Sequence, residues 1–382
     1  MEKKILLQAS ALVLISFFFA TYLQHSDDKQ LTGQLVTRQH DGQELRCIDC
    51  TGIWISRAKI MQLSPSGLAW NNLLTEANQP SCIPNLADQN DNCNVRILAK
   101  SLVSVRLGIA TPYRDDVVSA LRSIVNSGTY IGRALALGRE LGTYVIAADI
   151  IDLQTVDSAL DAQFRAKLLE LQITFTSGGP KNLFACHDDR PNNWGTHCGV
   201  TRLAIAAYLH DQQEITRSAQ VFKGWLGDLN SYNGFTYGDL SWQCNSPNPV
   251  GINPSGCTKQ FGGFARNLDG VIPDDQRRSG SFTWPPSKEN YVWESLQGAV
   301  VQAELLSRLG YDAWNWENQA LQRAMQWLHL PHFLPSGAEP YPATGDDTWI
   351  PWLVNKRYRT SFPATSPTTA GKNIGWTDWT HQ

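Results

Sequence analysis

The chain has 382 residues, 42% of them hydrophobic and 18% charged, with a formal net charge of −3. That much apolar surface offsets the entropy lost on folding, which excludes a disordered chain. So small a charge supplies no basic field for a nucleic-acid backbone, so no nucleic-acid partner is expected, and an anionic ligand has to be met by local arginines and lysines.

In chain order, Lys3 and Lys4 precede an apolar run from Ile5 to about Ala20, and polar sequence begins near Gln24. Residues 1–24 read as a signal peptide or an N-terminal anchor, and the run is short for a spanning helix. The protein is therefore expected to be secreted or periplasmic, touching a membrane only if that segment stays attached. Residues 25–50 read as a polar linker and 51–382 as one domain, expected as a monomer. Apolar residues at three-and-four spacing predict helices over Leu98–Leu107, Asp115–Val125, Arg133–Ile151, Asp157–Ile173, Asn193–Leu209, Glu214–Leu229, Asn290–Leu309 and Trp316–Leu328. Strand signals are weak. Helices recurring as antiparallel pairs point to an all-α fold, an (α/α) toroid with substrate-facing loops at Ser177–Pro191, Ser231–Ser287 and Leu334–Gln382.

The eight cysteines include Cys82 and Cys93, Cys186 and Cys198, and Cys244 and Cys257, each pair closing a short polar loop, with Cys47 and Cys50 as a fourth. In an oxidising compartment this even set reads as disulfides paired between neighbours. Zinc is the alternative, but only Cys47 and Cys50 have the close spacing of a structural site, which usually needs two such pairs.

Several common catalytic motifs are absent: no phosphate-binding Gly-x-x-x-x-Gly-Lys-Ser/Thr, no His-Glu-x-x-His and no Gly-x-Ser-x-Gly. Nucleotide hydrolysis, zincin proteolysis and esterase chemistry therefore lose their usual carriers. Two stretches remain. Cys186 to Cys198 (CHDDRPNNWGTHC) crowds polar side chains ahead of an apolar helix, and Asn193 and His197, four apart, share a face of its first turns. Such donors at a helix N-terminus favour an anion; alternatively Asn192 or Asn193 only caps the helix and His197 is a core histidine. The second stretch brings Arg277 and Arg278 before Trp284, Lys288 and Tyr291, the last on the opening turn of another helix. Its plainer reading is a solvated loop with arginines paired to Asp274 and Asp275. His187, Asp188 and Asp189 are consecutive and unsuited to converge on one ion, so no metal and no cofactor is expected.

Beyond these single features, the chain resembles a family. Ile60-Met61 with Leu68-Ala69-Trp70, Arg133 to Arg139 (RALALGR), Arg190 to Gly195 (RPNNWG), Asp274 to Arg278 (DDQRR) with Trp284-Pro285-Pro286, Glu289 to Glu294 (ENYVWE), and Gly345 to Trp349 (GDDTW) are similar to the alginate-lyase-like polysaccharide lyases. The nearest likeness is to polysaccharide lyase family 38, the glucuronan and alginate lyases. The likeness runs from about Trp54 to Phe362, and the conjunction of blocks is more specific than any one of them.

The resemblance implies an (α/α) toroid and endolytic β-elimination on an anionic polysaccharide. The C5 proton of a uronate is weakly acidic and the departing O4 needs a proton. Neutralising the carboxylate stabilises charge that develops only in the transition state. A tyrosine, with an unperturbed pKa of about 10, needs nearby positive charge to act as the base. Carried over, Asn193 matches the second asparagine of the family's Asn-Asn pair. In related alginate lyases a histidine follows that pair directly; here Trp194 and Gly195 stand there, leaving His197 as a substitute at helical spacing. Arg278, with Arg277 as the alternative, is the carboxylate clamp. Tyr291 is base and acid, with Tyr237 and Tyr232 in reserve. Asn192, Trp194, Tyr237, Trp284 and Lys288 are expected to bind substrate, and Trp293 is a further stacking candidate.

Two other functions compete. An inverting glycoside hydrolase on a toroid needs two carboxylates about 6.5–9.5 Å apart, from among Asp188, Asp189, Asp274, Asp275 and Glu289. A non-catalytic carbohydrate-binding protein needs only the cleft.

Overall fold

In the computed structural model, the described residues are 38–40, 43–45, 52–333, 340–366 and 372–382. The expected signal segment and the Cys47 and Cys50 pair lie outside them. The chain divides into residues 1–46 and 47–382. In the first unit, strands β1 (Arg38–His40) and β2 (Gln43–Leu45) form an antiparallel hairpin with Arg38 opposite Leu45.

The second unit is predominantly helical, as the three-and-four spacing predicts. Its longer helices are α1 (Arg57–Gln62), α2 (Leu68–Ala77), α3 (Cys93–Leu107), α4 (Asp115–Val125), α5 (Ala134–Ile151), α6 (Ser158–Ile173), α7 (Leu183–Asp189), α8 (Asn193–Leu209), α9 (Gln212–Leu226), α10 (Asn290–Arg308), α11 (Trp316–Leu328) and α12 (Ile350–Tyr358). A second antiparallel hairpin, β3 (Thr258–Phe261) with β4 (Phe264–Asn267), interrupts the long stretch between α9 and α10. Local chemistry sets the helix ends. The Asn192 side chain accepts from the Trp194 N–H to start α8. Asp211 accepts from Glu214 to start α9, which stops at Gly227 with φ 136°. These caps satisfy N–H groups that an opening turn leaves without partners.

Helices α5 and α8 are buried almost all round, and α8 packs between α5 and α10. Glycines permit the close approach. A Cβ on Gly138 would lie 2.8 Å from the Cys198 backbone nitrogen, and one on Gly298 would lie 2.4 Å from the Thr196 carbonyl carbon. Polar side chains stitch the same seam: Thr201 Oγ1 donates to the Gly138 carbonyl (2.8 Å) and accepts from the Gly142 N–H (2.9 Å). Satisfying these groups where water is excluded avoids the cost of burying a bare amide or carbonyl.

Three disulfides, Cys82–Cys93, Cys186–Cys198 and Cys244–Cys257, join neighbouring cysteines as expected. They fit an extracellular protein. Among the described residues no helix is long and apolar enough to cross a membrane.

Several expected loops are structured. Residues 183–189 form α7, and Ile350–Tyr358 form α12. Residues 372–382, expected within a substrate-facing loop, pack inward: Trp376 Nε1 donates to the Val95 carbonyl (2.9 Å) and Trp379 Nε1 to the Ser64 carbonyl (2.8 Å). Helix α3 begins at Cys93 and not at Leu98, its first turn hidden from the periodicity by Asn94 and Arg96.

Candidate active site

A cleft of about 340 Å³ is lined by Gly178, Gly179, Arg190, Asn192, Trp194, Arg277 and Arg278. It is built where α7 ends and α8 begins. The Cys186–Cys198 bridge ties α7 to α8, and Trp225 Nε1 donates to the Pro191 carbonyl (2.7 Å), fixing the turn between them. Gly195 is required here, because a Cβ would collide with the Arg190 carbonyl oxygen at 1.9 Å.

The two adjacent arginines have different fates. Arg277 is spent on Asp274, with Nε at 2.7 Å and Nη2 at 3.2 Å from its carboxylate oxygens. Asp274 also accepts from Asn192 Nδ2 (3.0 Å) and the Gly238 N–H (3.0 Å). Arg278 has no carboxylate partner among the described residues. Its guanidinium carbon instead sits 4.1 Å from the Tyr291 ring centroid. Tyr291 is 37% exposed at the opening turn of α10. The Glu289 carboxylate accepts from the Tyr291 N–H (3.2 Å) and so caps the helix that presents the phenol.

Asn193 and His197 lie behind the cleft and not on its surface. Asn193 is fully buried and His197 is 1% exposed. Helix α8 turns that face into the α5–α8–α10 seam, which is why sequence spacing alone puts them together without putting them on a ligand. The Asn193 N–H donates to Asp275 Oδ2 (3.1 Å), and its Nδ2 donates to Glu294 Oε2 (3.0 Å). Glu294 also pairs with Arg139 on α5 (3.4 Å), and Arg139 approaches Asp346 (4.0 Å). Burial holds the His197 imidazole well below its ordinary pKa, with the Arg139 and Lys372 charges adding to the effect. Burial likewise pushes the Asp275 carboxyl well up, and Asp274 adds to it. In this structure neither Asn193 nor His197 has surface to offer a sugar acid; their geometry is that of support for the cleft wall.

The other expected residues divide similarly. Asn192 and Trp194 line the cleft. The Tyr237 hydroxyl is buried without a partner, and burial, then Asp274, raises its pKa. Tyr232 donates to the Asp188 carbonyl, and burial, then Asp188, raises it as well. Both make poorer bases than an exposed phenol. Trp284 is half-buried, with the Arg266 guanidinium 5.3 Å from its ring centroid, and Lys288 is exposed, 5.9 Å from the Tyr341 centroid. Trp293 is 1% exposed and belongs to the core, edge-on to His329 and Tyr341.

The carboxylates a hydrolase would need are engaged elsewhere. Asp188 pairs with Arg202 (2.7 Å) and Arg217 (3.5 Å), Asp274 with Arg277, Asp275 is sealed, and Glu289 caps α10. Among the described residues no group of three His, Cys, Asp or Glu side chains is placed to hold a metal ion. His187 is buried against Arg202, and burial, then Arg202, lowers its pKa strongly.

Sequence reasoning missed Glu294 as the partner of Asn193 and Arg139 as the partner of Glu294, and Arg190 with Gly178 and Gly179 as cleft lining. The Arg190, Arg139 and Glu294 positions all fall inside quoted blocks, so the signal was present without an assignment. Compared with known proteins, the sequence matches no family model and no curated protein.

Proposed function

We propose that this is an exported polysaccharide lyase with an (α/α) toroid that cleaves a 1,4-linked uronic-acid polymer, glucuronan or alginate, by β-elimination. The observation that carries the reading is the Arg278 guanidinium against the exposed Tyr291 ring beside an arginine-lined cleft. A positive group next to an accessible phenol is the pairing that proton abstraction from a uronate requires. Arg278 pairs with the C5 carboxylate of the residue being cleaved and stabilises the charge that develops as C5 loses its proton. The Tyr291 oxygen, as the phenolate, takes that proton and becomes the phenol. The C5 electron pair forms the C4–C5 double bond, the C4–O4 bond breaks, and Tyr291 returns a proton to the departing oxygen. Asn193, Glu294 and Arg139 hold the start of α8 and the Tyr291 helix against each other.

The test is a panel of glucuronan, polymannuronate and polyguluronate incubated with purified protein, following ultraviolet absorbance. A rise from unsaturated uronate ends is the expected outcome. New reducing ends without absorbance mean hydrolysis and overturn the proposal, and saturable binding without product means a binding protein and overturns it equally.

A further inference from the structure

We infer that Arg190 and Trp194 form a second sugar-acid subsite next to the one at Arg278 and Tyr291, so that the cleft takes two consecutive uronates of one chain. This rests on the polyuronate reading above and adds to it where the neighbouring unit binds and by which groups.

Charge bookkeeping in the cleft leads there. Three guanidinium groups line it, and one, on Arg277, is neutralised by Asp274. Among the described residues Arg278 carries no carboxylate. The Arg190 side chain is 40% exposed, and among the described residues its one ion pair, to Asp189 Oδ2, is long at 3.5 Å. Asp189 is moreover already engaged, its Oδ1 accepting from Thr236 Oγ1 at 2.6 Å and its carbonyl from the Thr236 N–H at 2.8 Å. The Arg190 Nε atom is shielded from solvent and has no hydrogen-bond partner among the described residues. Two under-compensated cations on one cleft suit a ligand that carries one carboxylate per repeat. A neutral glycan would leave both of them unmatched, and a single acid would leave one.

Trp194 supplies the platform. Its half-buried indole lies on the cleft, and Gly179 passes so close that a Cβ there would come within 2.9 Å of the ring. Cys186–Cys198 and Gly195 fix the Arg190–Trp194 turn. A flat apolar ring beside a guanidinium matches a pyranose, whose C–H face stacks while its carboxylate reaches the charge.

The experiment is calorimetric titration of a 1,4-linked uronate trisaccharide, and of the same trisaccharide with its carboxyl groups reduced, into the Tyr291→Phe protein with and without Arg190→Gln. Arg190→Gln is expected to weaken binding of the charged trisaccharide about tenfold and to leave the reduced one unchanged; Arg190→Lys should restore part of the loss. Equal affinity for the charged ligand, or an equal loss for both ligands, overturns the subsite. Melting temperatures of the variants separate a folding defect from a lost contact, and the Lys variant repeats the test if Gln unfolds the turn. Arg190-dependent binding with no unsaturated product from the unmutated chain sinks the lyase reading and leaves the subsite standing. Product with Arg190-independent binding does the reverse, and no binding of either trisaccharide sinks both.

Discussion

The α5–α8–α10 seam and the cleft wall in front of it are built from overlapping sequence but by different physics. In the seam, glycine contacts and buried hydrogen bonds fix helices at backbone distance, and its charged groups sit in networks such as Asn193–Glu294–Arg139. In the wall, loops carry half-exposed guanidinium and aromatic groups with few mutual bonds. The border runs between adjacent residues: Asn192 faces the wall and Asn193 the seam, while Arg277 is paired with Asp274 and Arg278 has no carboxylate among the described residues. Interior rigidity thus serves a surface that keeps its charges unspent, because a group already paired cannot also bind.

The sharpest way to break this division is at Tyr291. On the proposed mechanism, Tyr291→Phe should lower turnover at least about a hundredfold with a modest change in KM, since the role proposed for its hydroxyl lies in the transition state. Steady-state kinetics on the preferred uronan checks it, and turnover like that of the unmutated chain would remove Tyr291 from the chemistry.

A smaller effect is expected in the seam. Gly298→Ala forces a methyl group onto the Thr196 and His197 backbone and should cost about 2 kcal/mol, or roughly 4 °C in Tm. If calorimetry finds the melting temperature unmoved, the helices are not held as closely as described.

The last test concerns pH. Burial pushes the Glu140 carboxyl on α5 up from its ordinary 4.5 to about 9, with Asp91 adding to the shift. The folded state therefore keeps a proton that the unfolded chain releases, and stability is lost as pH rises from about 4.5 to about 9. Glu140→Gln removes this loss, so its Tm should exceed the unmutated value by a few degrees at pH 8 and match it near pH 4. An equal difference at both values would assign the change to packing and not to the proton.

Much of the helical fold was legible in the sequence because long amphipathic or wholly apolar segments advertise their period. The boundaries of α4, α8 and α11 follow it directly. Helix α7 was not legible: it has seven residues, ends in Asp188 and Asp189, and is held by the Cys186 bridge and not by an apolar stripe. The inward packing of residues 372–382 depends on partners such as Val95 and Ser64, far away in the chain, which no local pattern encodes. In the candidate site, residue types and the cleft-lining Asn192, Trp194 and Arg278 were readable. The direction in which the α8 face turns was not, because a helix buried all round has no polar side to mark its orientation. Choosing between Arg277 and Arg278 needed the local geometry of the Pro273–Ser279 turn, which gives Asp274 to the arginine three residues on and leaves the next one without it.

Each described disulfide closes on the next cysteine in the chain, over sequence separations of 11, 12 and 13. Rings that small can shut as soon as both thiols have emerged, before distant parts of the polypeptide arrive, so mispaired isomers have little opportunity to form. The same locality ties the Cys186–Cys198 link to the turn that carries Arg190 and Asn192. Both of its cysteines are fully buried, so a reductant would reach this link only when the start of α8 opens.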